Sequence, residues 1–111
     1  MSCVAEDFVN EHTSARGHSR YGRTAYRAAL DGFLAEFAEL HYDLEQLIVS
    51  GDRAAAEYRM SFRMASAQGR PVSIRGVFLF RVAADGHIAH RTDFWDGSEV
   101  DRQLRCRARL T

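Results

Sequence analysis

Seven residues, HRTDFWD (His90 to Asp96), place a carboxylate inside a run that otherwise reads as a β-strand. Asp is depleted in strands, and a buried carboxylate is costly unless it is paired, hydrogen-bonded or protonated. Asp93 is therefore a surface residue, half of an ion pair, or a working group in a pocket. Arg91, two residues earlier, could be its ion-pair partner. Asp96 has a simpler reading: with Glu99 three residues on, it forms a D-x-x-E capping box for a short helix. The other reactive types are scattered. Five histidines have no spacing that suits a metal, and Cys3 and Cys106 lie near opposite ends, so no metal is predicted. No glycine-rich phosphate loop follows a strand, and no cofactor is predicted.

Asp93 can be placed only if the elements around it are known. The chain has 111 residues, 46% of them hydrophobic and 27% charged, which suits one globular domain over residues 1–111. Basic and acidic residues balance at 15 each, so nothing electrostatic points to nucleic acid or an anionic membrane. The arginines of the tail RCRARLT read as a solvated helix end. No segment is apolar enough to span a bilayer and no leader is visible, so a cytoplasmic protein is expected, with both thiols reduced.

Cys3 to Glu11 reads as a short strand and Thr13 to Arg23 as a loop, in which His18 and Tyr21 could border a ligand. Thr24 is a plausible N-cap. Tyr26, Ala29, Leu30, Phe33, Leu34, Phe37 and Leu40 recur at spacings of three and four, which predicts an amphipathic helix over Ala25–Leu40. Alternation of period two then predicts strands over His41–Val49, Arg53–Ala65, Pro71–Val82 and His87–Trp95. In the first of these Tyr42, Leu44, Gln46 and Ile48 form the expected buried row, with His41 and Asp43 outside. The whole is an α+β domain, a helix across a curved antiparallel sheet.

The Asp85-Gly86 hairpin sets a register. If these are the two loop residues, Val82 opposes Ala89, Phe80 opposes Arg91, Phe78 opposes Asp93 and Gly76 opposes Trp95. Opposed residues share a face. Asp93 and Arg91 then project on the side of the apolar row Val72 to Val82, and Gly76 leaves room for the Trp95 ring. On that face the pair is either a buried salt bridge or the floor of a small-molecule pocket, where desolvation would raise the Asp93 pKa toward acid–base values.

GDRAAAEYRM followed by RGVFLFRVAADGHIAHRTDFWD resembles the SnoaL-like domains of the nuclear transport factor 2-like superfamily, relatives of polyketide cyclases, ketosteroid isomerase and limonene epoxide hydrolase. The resemblance rests on a GD turn, G-x-F, a DG hairpin and D-[FY]-[FW]-D, and runs from about Ala5 to Leu104. It implies a cone-shaped sheet around a deep pocket, with Asp93 pointing into it as acid, base or activator of water, and a homodimer formed sheet to sheet. The chain departs from the pattern in three places. EYRMSF lacks the Arg-x-Asp of the epoxide hydrolases. Asn10-Glu11-His12 stands where they carry Tyr-x-Asn. Phe78 to Phe80 lacks the cyclase histidine. The start is also short, without the helices that usually precede the first strand.

The expectation is a pocket protein for a small hydrophobic organic molecule. Asp93, Arg91 and His12 are its candidate catalytic residues, and Asn10, Tyr58, Met60, Phe62, Phe78, Phe80 and Trp95 its candidate ligand contacts. Acid/base isomerisation, cyclisation or hydrolysis is one reading. A non-catalytic ligand-binding or dimerisation module is the other.

Overall fold

A computed structural model describes residues 3–13 and 19–110, with the side chains of the last helix described through 104. The elements run β1 (Val4–His12), β2 (Arg20–Tyr21), α1 (Arg23–Glu36), β3 (Phe37–Ser50), β4 (Arg53–Met64), a 3-10 turn at Ala65–Ala67, β5 (Arg70–Val82), β6 (Ile88–Trp95) and α2 (Gly97–Leu110). The six strands form one open sheet in the order β2-β1-β6-β5-β4-β3. The domain is α+β as expected, but the sheet is mixed, because β1 runs parallel to β6 while every other pairing is antiparallel. No described helix is long and apolar enough to cross a membrane.

The inner face carries the core. Tyr58, Met60, Phe62 and Met64 of β4 and Val72 and Ile74 of β5 are buried there with Val100 of α2. These are the period-two rows read from the sequence. β6 stops at Trp95, opposite Gly76, so the first half of β5 has no strand on that side. Gln103 of α2 fills the gap. Its Oε1 accepts from the Ser73 N–H (3.0 Å) and its Nε2 donates to the Ser73 carbonyl (2.6 Å), so one side chain satisfies both backbone groups of an otherwise open edge. Asp96 caps α2 as expected, accepting from the Ser98 N–H at 3.0 Å. The capping box does not close, because the Glu99 carboxylate instead accepts from Arg102 and Gln103.

Three local expectations are corrected. α1 starts at Arg23 rather than after Thr24. Gly22 donates its N–H to the Phe8 carbonyl (2.6 Å) at φ 89°, and this tie to β1 turns the chain earlier. α1 ends at Glu36 rather than Leu40: Phe37 pairs with Met64, and a bulge with Glu39 at φ 54° lets both Phe37 and Leu40 reach the core from a strand. The buried row expected in β3 is not buried. A second bulge between Leu44 and Gln46 flips the alternation, so Leu47 and Val49 join Ala56 and Ala54 on the inner face while Ile48 joins Ala55 on the outer one. As the last strand of the sheet, β3 leaves Leu44, Leu47, Ile48 and Val49 more than half exposed.

α1 crosses the inner face without burying any residue completely. Phe8 meets Tyr26 edge-on at 5.0 Å and Phe33 meets Phe37 at 4.6 Å, so the helix is anchored at its two ends and stands off the sheet between them.

Candidate functional site

The parallel pairing of β1 with β6 assembles the polar part of the site. Asn10 is in register with Arg91 and His12 with Asp93. Two residues spaced by two on each strand thus project together on the inner face. Glu11 between them faces the other way, where it accepts from Thr92 and pairs with His90 at 3.1 Å. Thr13 locks the end of this pairing: its N–H (3.2 Å) and hydroxyl (3.0 Å) both donate to the Asp93 carbonyl.

The β5–β6 register has Phe78 opposite Asp93, Phe80 opposite Arg91 and Gly76 opposite Trp95. The hairpin itself is not a two-residue loop. Ala83 and His87 close it, Val82 opposes Ile88, and Ala89 is the extra residue of a bulge. The longer loop and the bulge offset one another, so the assignment of Asp93 to the inner face holds even though the assumed turn does not.

Asp93 is 7% exposed. Its Oδ1 accepts a 2.6 Å hydrogen bond from the Tyr58 hydroxyl, and its Oδ2 lies 3.7 Å from His12 Nδ1. Burial pushes its pKa from 3.8 up to about 6, against the opposing pull of the Tyr58 hydrogen bond and the Arg91 charge. Burial and the adjacent carboxylate hold the Tyr58 hydroxyl far above the usual tyrosine range, so it acts here as a donor. Gly76 makes this contact feasible. A Cβ on it would collide with the Tyr58 hydroxyl oxygen and stand 2.8 Å from the Phe94 carbonyl. Gly76 thus makes room for Tyr58, not for the Trp95 ring.

Arg91 does not bridge to Asp93. Its Nε donates to Asn10 Oδ1 at 2.9 Å, and its guanidinium lies over the rings of Phe78 (4.9 Å) and Tyr26 (5.5 Å). This arrangement assigns a proton. Arg91 can only donate, so the Asn10 atom it meets is the oxygen, and the Asn10 amide nitrogen faces His12 Nε2 at 3.1 Å. Nε2 must then accept, and a neutral His12 carries its proton on Nδ1, toward Asp93.

These groups line one wall of a cavity of about 590 Å³ between α1 and the sheet. Its apolar walls come from Leu30, Phe33 and Phe37 on one side and Met60, Phe78 and Trp95 on the other. Of the candidates read from the sequence, Asp93, Arg91, His12, Asn10, Met60, Phe78 and Trp95 meet there. Tyr58 lies behind Asp93, Phe62 packs at a tilt against Phe37 in the core at 4.5 Å, and Phe80 is not in the lining. Arg20, Tyr26 and Tyr42 line the cavity without having been singled out. Tyr42 as a whole is 39% exposed, but desolvation of its hydroxyl raises its pKa to about 12. A helical apolar stripe includes Tyr26 but cannot tell cavity from core. Tyr21 is 73% exposed, and His18 falls outside the described residues. Among the described residues the buried Trp95 indole N–H meets no hydrogen-bond acceptor, an opening for a ligand oxygen or water. Among the described residues no cluster of three or more His, Cys, Asp or Glu could hold a metal ion.

Comparison with known proteins agrees with the fold. The SnoaL-like domain family matches residues 1–91. A candidate SnoaL-like polyketide cyclase from Jannaschia sp. CCS1 superposes with a TM-score of 0.78 at 20% identity, covering 89% of this chain and 71% of that one. A protein of ketosteroid isomerase-like fold from Catenulispora acidiphila, solved with trimethylamine, gives 0.80 at 19% identity, over 89% and 74%. TsrD from Streptomyces laurentii gives 0.74 at 27% identity, over 93% and 78%. No curated protein matches the chain in sequence.

Proposed function

The chain belongs to the SnoaL-like domain family, and from that premise we propose that it is an acid/base catalyst for a small, largely apolar organic molecule bound under α1. Asp93 exchanges a proton with carbon or water, and His12 and Arg91 assist. The observation that carries this is the division of labour in the Asp93 carboxyl. One oxygen is held by Tyr58, the other faces His12 at the cavity wall, and the pKa of about 6 keeps both protonation states populated near neutrality. Isomerisation, cyclisation and hydrolysis all begin with such a transfer. A relative solved with a small molecule is consistent with binding in this fold.

The test is proton exchange at carbon. In deuterated buffer, an enolisable aryl ketone such as 1-tetralone should lose its α-protons faster with wild-type protein than with Asp93→Asn. Equal rates would remove Asp93 from proton transfer at carbon and so overturn the isomerase and cyclase readings.

A second assignment concerns the outer face. Ile48, Leu79 and Phe94 lie there at 59%, 44% and 42% exposure, beside Ala55 and Val77. Adjacent exposed Ile48, Leu79 and Phe94 favour a homodimer formed through this face. Sedimentation should give a dimer for wild type and a monomer for Leu79→Arg.

A further inference from the structure

Among the described residues Arg91 has no direct ion-pair partner, and Asp93 acts on it only through space. Arg91 is half-buried in an apolar aromatic cavity, and among the described residues no carboxylate lies within ion-pair distance of it. Its Nε is spent on Asn10, and one terminal nitrogen makes only a long 3.5 Å contact with the Tyr26 hydroxyl. The two rings that flank it hold the guanidinium plane in place but supply no full negative charge. A partly buried charge without a direct partner is unfavourable, and this one has donors left over. Arg20 lines the same cavity, and its Nη1 makes a 3.4 Å contact with the Ser19 carbonyl. Facing these two arginines are Glu36, which accepts from the Ser66 N–H, and Asp93, whose carboxyl is turned toward Tyr58 and His12.

We propose that Arg91 is an anion subsite, and that the ligand is a flat unsaturated or aromatic molecule bearing an anionic oxygen (a carboxylate, or an acidic enol or phenol). The anion pairs with the free edge of the Arg91 guanidinium. The carbon skeleton continues between Phe78 and Tyr42 on the sheet and Phe33 on the helix. Arg is suited to this because its planar fork bonds a carboxylate in bidentate fashion while its face stays on an aromatic ring. The fixed side chain loses little freedom when the ligand arrives. The same geometry serves an acid/base step. When a proton leaves carbon next to a carbonyl, the electron pair moves onto the carbonyl oxygen, and a cation already in place beside Asp93 stabilises that enolate. The inference rests on the reading of this cavity as a ligand site, and does not require Asp93 to be catalytic.

Calorimetry with a matched pair separates the two. Biphenyl-4-carboxylate and biphenyl-4-carboxamide have nearly the same shape and differ in charge. Wild-type protein should prefer the carboxylate at least tenfold, with the preference shrinking at high salt. Arg91→Gln should abolish the preference while still binding the amide, and Arg91→Lys should keep part of it. Asp93→Asn removes a neighbouring negative charge and should leave the preference at least as large. Equal binding of the two ligands by wild type overturns the anion subsite and leaves the ligand cavity standing. Binding of neither overturns both. A preference that survives in Arg91→Gln removes Arg91 from the role.

Discussion

Replacing Asp93 with Asn should make this protein more stable at neutral pH, although it removes a buried hydrogen-bonded group. The reason is the direction of the Asp93 shift. Most native carboxylates are stabilised in their charged form and lose that contribution on acidification. Asp93 behaves in the opposite sense: burial raises its pKa from 3.8 to about 6. Between those values the folded state binds a proton that the unfolded chain has released. Stability from this group is therefore complete below about pH 4, falls as pH rises, and stays at its lower level above about pH 6. Roughly two pH units at 1.36 kcal/mol each set the cost of ionised Asp93 at about 3 kcal/mol. Asn has the same shape, carries no charge, and still offers an oxygen to the Tyr58 hydroxyl. Urea unfolding of wild type and Asp93→Asn at pH 4 and pH 8 measures the effect. The two proteins should be nearly equal at pH 4. The variant should gain up to about 3 kcal/mol at pH 8, roughly 10 °C in Tm for a domain of this size. Other titrating groups cancel in the difference between the two proteins. A difference that does not change with pH, or a wild type relatively stronger at pH 8, would refute the buried, raised carboxyl.

Three other substitutions probe the support around Asp93 and the sheet edge. Tyr58→Phe removes the hydrogen bond that pulls the Asp93 pKa down, so the carboxyl should titrate above about 6. Carbon-13 NMR of labelled aspartate reads this directly, and an unmoved titration would sink the Tyr58 contact. Gly76→Ala drives a methyl into the Tyr58 hydroxyl and the Phe94 carbonyl, and should cost about 2–3 kcal/mol in urea unfolding; a cost under about 0.5 kcal/mol would show that Tyr58 does not pack there. Gln103→Ala exposes both backbone groups of Ser73. It should cost about 1–2 kcal/mol and speed Ser73 amide exchange, with unchanged exchange contradicting the edge-cap role.

The strands were legible where both faces of a segment keep a strict period. β4 and β5 alternate without interruption, and their inner rows are the core. β3 misled because two bulges break its period and because it is the sheet's last strand. Neither a bulge nor an edge position writes itself into the apolar pattern. Phe37 and Leu40 continue a helical spacing, yet they reach the core from a strand, because pairing with β4 outweighs local propensity.

From its own residues the chain determined that Asp93 sits on the inner face opposite Phe78. A side chain's face follows from local alternation and the hairpin, and here a bulge and a longer loop offset one another. Only the tertiary structure decided the partners of Asp93. Arg91 looked like its ion-pair partner because the two share a strand face, but Asn10 and two aromatic rings claim the guanidinium. Tyr58 and His12 claim the carboxyl from 35 and 81 residues away in sequence. Gly76 permits the first contact, and the parallel pairing of β1 with β6 creates the second. A parallel pair joins segments far apart in the chain, so no short-range pattern reports its register.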